Sequence, residues 1–333
     1  MERALWQRYV LGGIALIEVR NLVKKYGDHL AVDHLSFQIE AGRIYGFLGP
    51  NGAGKSTTMN IMTGYLGATE GEVLINGHDI LKEPELAKKS VGYLPEMPPL
   101  YMDMKVQEYL MFAAELKKVK KADRKAEVKK IMKMVRIYDV RERLIKNLSK
   151  GYRQRVGLAQ AVLGFPETII LDEPTVGLDP KQIIEIRELI RELAKDHTVI
   201  LSSHILAEIR EVCDYIIIIS QGKLVASDTP ENLEKKFSGN APTEIETRLL
   251  PEKTEEILSR IPGIQKVSYL SSDPGITRAV IETKEDVDIR EEIFRAFARE
   301  DSALISMYRK QNTLEDIFLQ LTQEGGRPHA GNL

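Results

Sequence analysis

The segment Gly49-Pro50-Asn51-Gly52-Ala53-Gly54-Lys55-Ser56-Thr57 joins an apolar run, Ile44–Leu48, to a stretch of helical character from Lys55 to about Thr63. The spacing is GxxxxGK[ST] between a strand and a helix, the pattern of a loop that cradles phosphates. Glycines let successive backbone N–H groups turn inward, and a helix that opens near Lys55 adds the positive end of its dipole. The Lys55 ammonium can reach β- and γ-phosphates, and the Ser56 hydroxyl can ligate Mg2+. A second apolar run, Thr168–Leu171, ends in Asp172-Glu173. An acidic pair at a strand end, downstream of a phosphate loop, is the Walker B arrangement. Asp172 would hold Mg2+, directly or through water, and Glu173 would polarise an attacking water, a role worth about 10²–10⁴-fold in rate. By themselves the two acids beside Pro174 would read as a helix cap; the loop upstream decides for metal and water.

These side chains need a frame. Apolar strands at Leu16–Leu22, Leu35–Glu40, Ile44–Leu48, Glu72–Ile75, Val91–Leu94, Thr168–Leu171, Thr198–Leu201, Tyr215–Ser220 and Lys223–Ser227 are interleaved with helices at Lys55–Thr63, Gln182–Lys195 and Ile205–Cys213. Such alternation predicts a largely parallel α/β core. From Lys105 to Asn147 the pattern turns helical, so residues of about 100–165 are expected to form a helical subdomain. Within it Lys117–Lys133 holds nine Lys or Arg against Asp123 and Glu127, a local charge of +7. A solvated helix face explains such a run; acidic lipid headgroups or an acidic partner are its other readings. Aromatic side chains are not interleaved with the lysines, which disfavours nucleic acid.

The composition fixes the class. The chain has 333 residues, enough for two domains, with 47 Lys or Arg against 49 Asp or Glu. A net charge of −2 excludes a generally basic nucleic-acid coat and an acidic disordered chain. The single cysteine, Cys213, excludes an intramolecular disulfide. No apolar run approaches the ~18 residues of a membrane span, and the start of the chain reads as a short extension (1–13) before a first strand rather than as a leader. Residues 239–243 read as a linker. Beyond it, a strand–helix–strand–strand–helix–strand order over 244–324, closed by a helix at Leu314–Gln323, predicts a small ferredoxin-like α+β unit. Residues 325–333 read as a disordered tail.

Leu148-Ser149-Lys150-Gly151-Tyr152-Arg153-Gln154-Arg155 resembles the signature motif of ABC-type ATPases, and it lies just upstream of Ile169–Thr175 and Gly177-Leu178-Asp179-Pro180. Those segments resemble the family's Walker B and D-loop, and Thr198–Ser203 followed by His204 is similar to its switch-histidine segment. The resemblance covers about Leu16–Phe237, with the motifs in the family's order and spacing. It implies an α/β P-loop core over residues 14–238 and ATP and Mg2+ as ligands. It further implies a head-to-tail dimer with two ATP between subunits, either a homodimer or a heterodimer with a related ATPase. In such a dimer Ser149, Lys150, Gly151 and Tyr152 contact the ATP of the other subunit, Asp179 links the two sites, His204 senses the γ-phosphate and Tyr26 stacks on adenine. Read in isolation, Leu148–Gly151 is a helix N-cap and His204 a structural histidine.

Three positions depart from the family pattern. Glu96, in Gly92-Tyr93-Leu94-Pro95-Glu96, stands where glutamine is usual; a carboxylate there could still ligate Mg2+. Lys150 replaces a common glycine and Tyr152 a common glutamine. With Thr313-Leu314-Glu315-Asp316-Ile317-Phe318, these variants resemble the ATPases of type-2 ABC exporters, and Gly92–Leu110 most resembles the gliding-motility-associated subgroup. The resemblance implies a motor subunit at the cytoplasmic face of a membrane, docked through Pro95–Met104 and the helices after it onto separate multi-span permease subunits. The other reading is a membrane-associated mechanical or regulatory ATPase that moves no cargo.

Overall fold

A computed structural model describes residues 15–237, 242–270, 275–283 and 287–309, with residues 315, 318 and 319. The described residues form two compact units, divided between Pro230 and Glu231.

The first unit opens with an antiparallel hairpin, β1 (Ala15–Tyr26) and β2 (His29–Glu40). Both strands are longer than the apolar pattern predicts. Their register shifts between Val19 and Leu22 and again between Leu22 and Lys24, and Asn21 and His34 take left-handed φ values of +44° and +51°. Such bulges break the period-two alternation that marks a strand in sequence. Tyr26 is therefore the last residue of β1. Along β2 the alternation is clean beyond His34: Leu35, Phe37 and Ile39 are buried, Ser36 and Gln38 exposed. β4 (Glu70–Ile75) and the two-residue β5 (His78–Asp79) complete a four-stranded antiparallel sheet in the order β2-β1-β4-β5.

A second sheet runs β10-β9-β3-β8-β7-β6. Its strands are β3 (Ile44–Leu48), β6 (Val91–Leu94), β7 (Thr168–Leu171), β8 (Thr198–Ser203), β9 (Tyr215–Ser220) and β10 (Lys223–Asp228). Neighbours from β6 to β9 pair in parallel, and β10 is an antiparallel edge. Every residue of β3, β7 and β8 is buried, as expected of parallel strands covered on both faces. One core joins the sheets through the helix Lys55–Met62, with Phe37, Tyr45, Phe47, Met59 and Ile217 among its members. Leu48 lies level with Ser203, and Leu171 with Leu201, so the loops that follow β3, β7 and β8 leave the sheet at one edge. That carboxyl edge is where open parallel sheets bind ligands.

The helical region resolves into Val106–Leu116, Arg124–Met134 and Lys150–Val162, with 3-10 turns at Tyr138–Val140 and Ile145–Asn147. The first helix buries Val106, Tyr109, Leu110, Ala113 and Ala114, the one-sided stripe of a surface helix. A short helix, Pro84–Lys89, carries no such stripe and escapes the periodicity reading.

The second unit is β11 (Thr243–Thr247), a helix Pro251–Ser259, β12 (Ile264–Leu270), β13 (Thr277–Thr283), a helix Arg290–Arg299 and β14 (Leu304–Arg309). Its antiparallel order, β12-β13-β11-β14, is the ferredoxin-like arrangement. Thr277, Ala279, Ile281 and Thr283 alternate inward along β13, and Ile245, Leu258, Ile281, Ile293 and Phe297 form its core. Thr243, expected in the linker, opens β11; residues 239–241 of that linker lie outside the described residues. The expected extension 1–13, the tail 325–333 and most of the helix Leu314–Gln323 lie outside them too.

Candidate active site

The loop after β3 is built by backbone geometry that only glycine tolerates. Gly54 caps the helix Lys55–Met62 at φ +98°, and a Cβ there would lie 2.5 Å from the Ala31 carbonyl oxygen. A Cβ on Gly49 would lie 2.5 Å from the Ile219 carbonyl oxygen. The β9–β10 turn packs beneath the loop, since Gly222 N–H donates to the Ala53 carbonyl (3.1 Å) and Asp33 N–H to the Gly222 carbonyl (2.9 Å). Nothing in the turn Gln221-Gly222 itself signals this buttress.

Lys55 is buried, and its Nζ donates to the carbonyls of Gly49 (2.8 Å) and Pro50 (3.2 Å). It also lies 3.8 Å from Glu173 Oε1. Burial lowers the pKa of the ammonium from its ordinary value; the carboxylates of Glu173, Asp172 and Glu96 oppose that shift. Ser56 Oγ donates to Asp172 Oδ1 at 3.2 Å, which brings the phosphate loop against the end of β7. Glu173 is buried at φ +47°, a left-handed conformation that non-glycine residues rarely adopt and that collects at functional sites. His204, just beyond β8, places Nδ1 at 3.0 and 3.1 Å from the two Glu173 oxygens.

Ser202, to which sequence reasoning assigned no role, holds this arrangement together. Its Oγ donates to Asp172 Oδ1 (2.5 Å) and accepts from Glu173 N–H (2.8 Å). Glu208 adds a second tie behind it. This buried carboxylate accepts through Oε2 from Thr175 Oγ1 (2.6 Å) and Ser203 Oγ (3.2 Å). The segment after Glu173 is thereby joined to the one before His204. A serine at a strand end and a glutamate on a helix are too common to stand out in sequence.

A cavity of about 480 Å3 lies over these groups. Tyr26, Asn51, Gly52, Gly54, Lys55 and Ser56 line it, as do Thr57, Glu96, Glu173 and His204, with His29, Ala31 and Val176. Gly49, Pro50 and Ala53 form the inner side of the loop and do not reach the cavity, while Asp172 stands behind Ser56. Tyr26 is half exposed, with Lys24 Nζ 5.3 Å from its ring centroid. Ser149, Lys150, Gly151, Tyr152 and Asp179 do not line the cavity. Ser149 caps the helix Lys150–Val162, accepting from Tyr152 N–H at 3.4 Å. Asp179 caps the helix Pro180–Leu193, accepting from Gln182 N–H at 2.9 Å. The Gln182 side chain packs on Gly151, and the Lys150 ammonium lies against Gly177.

For Mg2+, the Ser56 hydroxyl and the Asp172 carboxylate offer hard oxygens 3.2 Å apart at the base of the cavity. That sparse set fits an ion that keeps several waters and takes its remaining ligands from phosphates.

The sequence model of the family described as ABC transporter matches residues 32–176. The bacitracin transport ATP-binding protein BcrA of Bacillus licheniformis is 38% identical over 223 residues, covering 66% of this chain and 72% of that protein. The ABC transporter ATP-binding protein YhcH of Bacillus subtilis is 36% identical over 318 residues, covering 93% and 96%. The chain belongs to the ABC transporter family. As an ATP-binding subunit of that family it is an ATPase. The lantibiotic transport ATP-binding protein SrtF of Streptococcus pyogenes is 34% identical over 67% of this chain and 96% of its own. A solved ATP-binding subunit of an ABC transporter superposes with a TM-score of 0.61 at 30% identity, over 67% of this chain and 93% of that one. No helix among the described residues is long and apolar enough to cross a membrane.

Proposed function

We propose that this chain is the ATP-driven motor of an exporter, working at the cytoplasmic face of a membrane on separate multi-span permease subunits. One observation carries the reading. The phosphate loop, Glu173 and His204 line one cavity, whereas Ser149–Tyr152 and Asp179 stand away from it as helix caps on the same chain. Two such half-sites suit a dimer in which each phosphate loop meets the signature helix of another copy. The Gly151 N–H and the Ser149 hydroxyl at a helix start suit a γ-phosphate. Tyr26 offers a stacking face for adenine, with Asn51–Thr57 around the phosphates.

Mg2+ held by Ser56 and Asp172, with Glu96 as a further oxygen, would neutralise charge on the β- and γ-phosphates. Glu173 accepts the proton of a water that attacks the γ-phosphorus. The bond to the bridging oxygen breaks, leaving ADP and inorganic phosphate. His204, bonded to both Glu173 oxygens, orients that carboxylate and meets the γ-phosphate. Closure with ATP and reopening after phosphate leaves would move the permease between states.

The relatives named for bacitracin transport and lantibiotic transport support a role in transport of such compounds out of the cell. The likeness of Gly92–Leu110 to the gliding-motility-associated subgroup supports a narrower placement within type-2 exporters. Sedimentation of Glu173→Gln tests the shared site. With MgATP it should double in mass, and Gly151→Asp in the same background should stay monomeric. Equal behaviour of the two variants would overturn the assignment of the signature helix to a second copy.

A further inference from the structure

The lysine-rich run Lys117–Lys133 takes no part in the site described above. It carries +7, so the rest of the chain carries −9. The helix Arg124–Met134 buries Val128, Ile131 and Met132. Lys125, Lys129, Lys130 and Lys133 are exposed and share the opposite face, within ~140° of arc at 100° per residue. Lys120 and Lys121 extend this face into the preceding turn and are exposed as well.

Of the acids nearby, Asp123 is exposed and offsets one charge, while two others are engaged elsewhere. Glu127 is turned inward and accepts from the Gly164 N–H at 2.7 Å, and Glu115 is paired with Arg124 at 3.1 Å. None of the six lysines makes an ion pair among the described residues, whereas Lys118 reaches Glu85 at 3.3 Å. Lys125, Lys129 and Lys133 follow one another at i, i+4 and i+8, a spacing of like charges that destabilises a helix in water. Lys129 and Lys133 flank the half-buried Tyr138 ring at 6.0 and 5.7 Å, and Arg141 sits over it at 4.5 Å. An amphipathic ring among cations, in the 3-10 turn Tyr138–Val140 that follows a helix with a lysine-lined outer face, has the chemistry of a membrane-surface segment.

We infer that this face docks on an anionic lipid surface and orients the ATPase unit against the membrane beside its permease. The inference rests on the reading that the chain works at a membrane. A planar array of phosphates is the complement of lysines without carboxylate partners spread over one face, and each lysine near such a surface adds to attraction. A nucleic acid fits less well, because aromatic side chains are not interleaved with the lysines of the run.

The test is co-sedimentation of the full chain with phosphatidylcholine vesicles, with and without phosphatidylglycerol, over a range of salt. The expected result is binding only where phosphatidylglycerol is present, weakened by salt. Lys125→Gln, Lys129→Gln and Lys133→Gln together should lower partitioning roughly 100-fold, and the triple arginine replacement should keep it. Failure of the native chain to sediment with anionic vesicles, or equal binding by the triple glutamine variant, would overturn the inference. So would capture of this face by an acidic protein while anionic vesicles are ignored. Hydrolysis of MgATP in lipid-free buffer is read alongside and should match between native chain and variant. A native chain without ATPase activity would count against the motor reading and leave the vesicle result standing.

Discussion

His204 Nδ1 stands 3.0 Å from one carboxylate oxygen of Glu173 and 3.1 Å from the other. The carboxylate is buried and its backbone is held left-handed, so imidazole and backbone together fix its direction. An amide in its place fills the same volume but cannot take a proton from water. Glu173→Gln should therefore lose about 10²–10⁴-fold in turnover while still binding ATP. Phosphate release and nucleotide binding measured on the same preparation check this; normal turnover would remove Glu173 as the base.

Glu96 lines the cavity and contributes to the charge around Lys55, yet the loop backbone supplies most of the cradle. Glu96→Gln should keep ATP affinity within a few fold. Its effect should appear instead in the dependence of turnover on Mg2+ concentration. Complete loss of nucleotide binding by equilibrium dialysis would show a larger role than metal contact.

Two glycines of the phosphate loop differ in what surrounds them. Gly52 and Gly54 both have positive φ, but a Cβ at Gly52 would meet open space and one at Gly54 the Ala31 carbonyl at 2.5 Å. Gly52→Ala bears only the backbone cost, about 1–2 kcal/mol. Gly54→Ala adds a backbone collision and should lose both more stability and ATP binding. Paired denaturant titrations with and without ATP read the difference.

Glu208 receives two buried hydroxyls on one oxygen. Glu208→Ala leaves both without their acceptor, at about 1–3 kcal/mol each, whereas Glu208→Gln keeps an acceptor and should lose less. Because Thr175 and Ser203 flank the segments that carry Glu173 and His204, the alanine variant should also lower turnover. Equal stability of the two variants in urea would contradict this.

Lys117 gives the chain a pH signature. Its Nζ donates to the carbonyls of Ala161 and Leu163, both at 2.9 Å, at the end of the signature helix. The residue as a whole is exposed, but its ammonium is held against those carbonyls, and desolvation there lowers its pKa to about 8 from an ordinary 10.5. Between those values the unfolded chain binds the proton and the folded chain does not, so the contribution of this residue to stability rises with pH across that window. Below about pH 8 both states are protonated and the contribution is flat. Lys117→Met should lack that rise, so the stability of the native chain minus that of the variant should be flat near pH 7 and climb from about pH 8 to pH 10.

Much of this was legible in the residues because it rests on local constraints. The uniform burial of Ile44–Leu48, the stripe of Val106–Leu116 and the strand–loop–helix around Lys55 follow from short periods and from glycine. Strand order was not legible, since β3 lies between β8 and β9, whose residues come some 150 positions later. The hairpin ends were hidden by the bulges at Asn21 and His34. At the site, the groups assigned to phosphate announce themselves by spacing. Groups that act through a neighbour, as Ser202 and Glu208 do, have ordinary types at ordinary positions and emerge only when strand ends are brought level.

The central claim is that this ATPase drives a membrane permease. The most direct measurement is to tag the full chain, extract it in mild detergent from the membranes of cells that make it, and weigh what comes with it by mass spectrometry. The account predicts a multi-span protein in stoichiometric amount, released together with the tagged chain. Recovery of the chain from an intact membrane fraction with soluble partners alone would contradict it and favour an ATPase that moves no cargo.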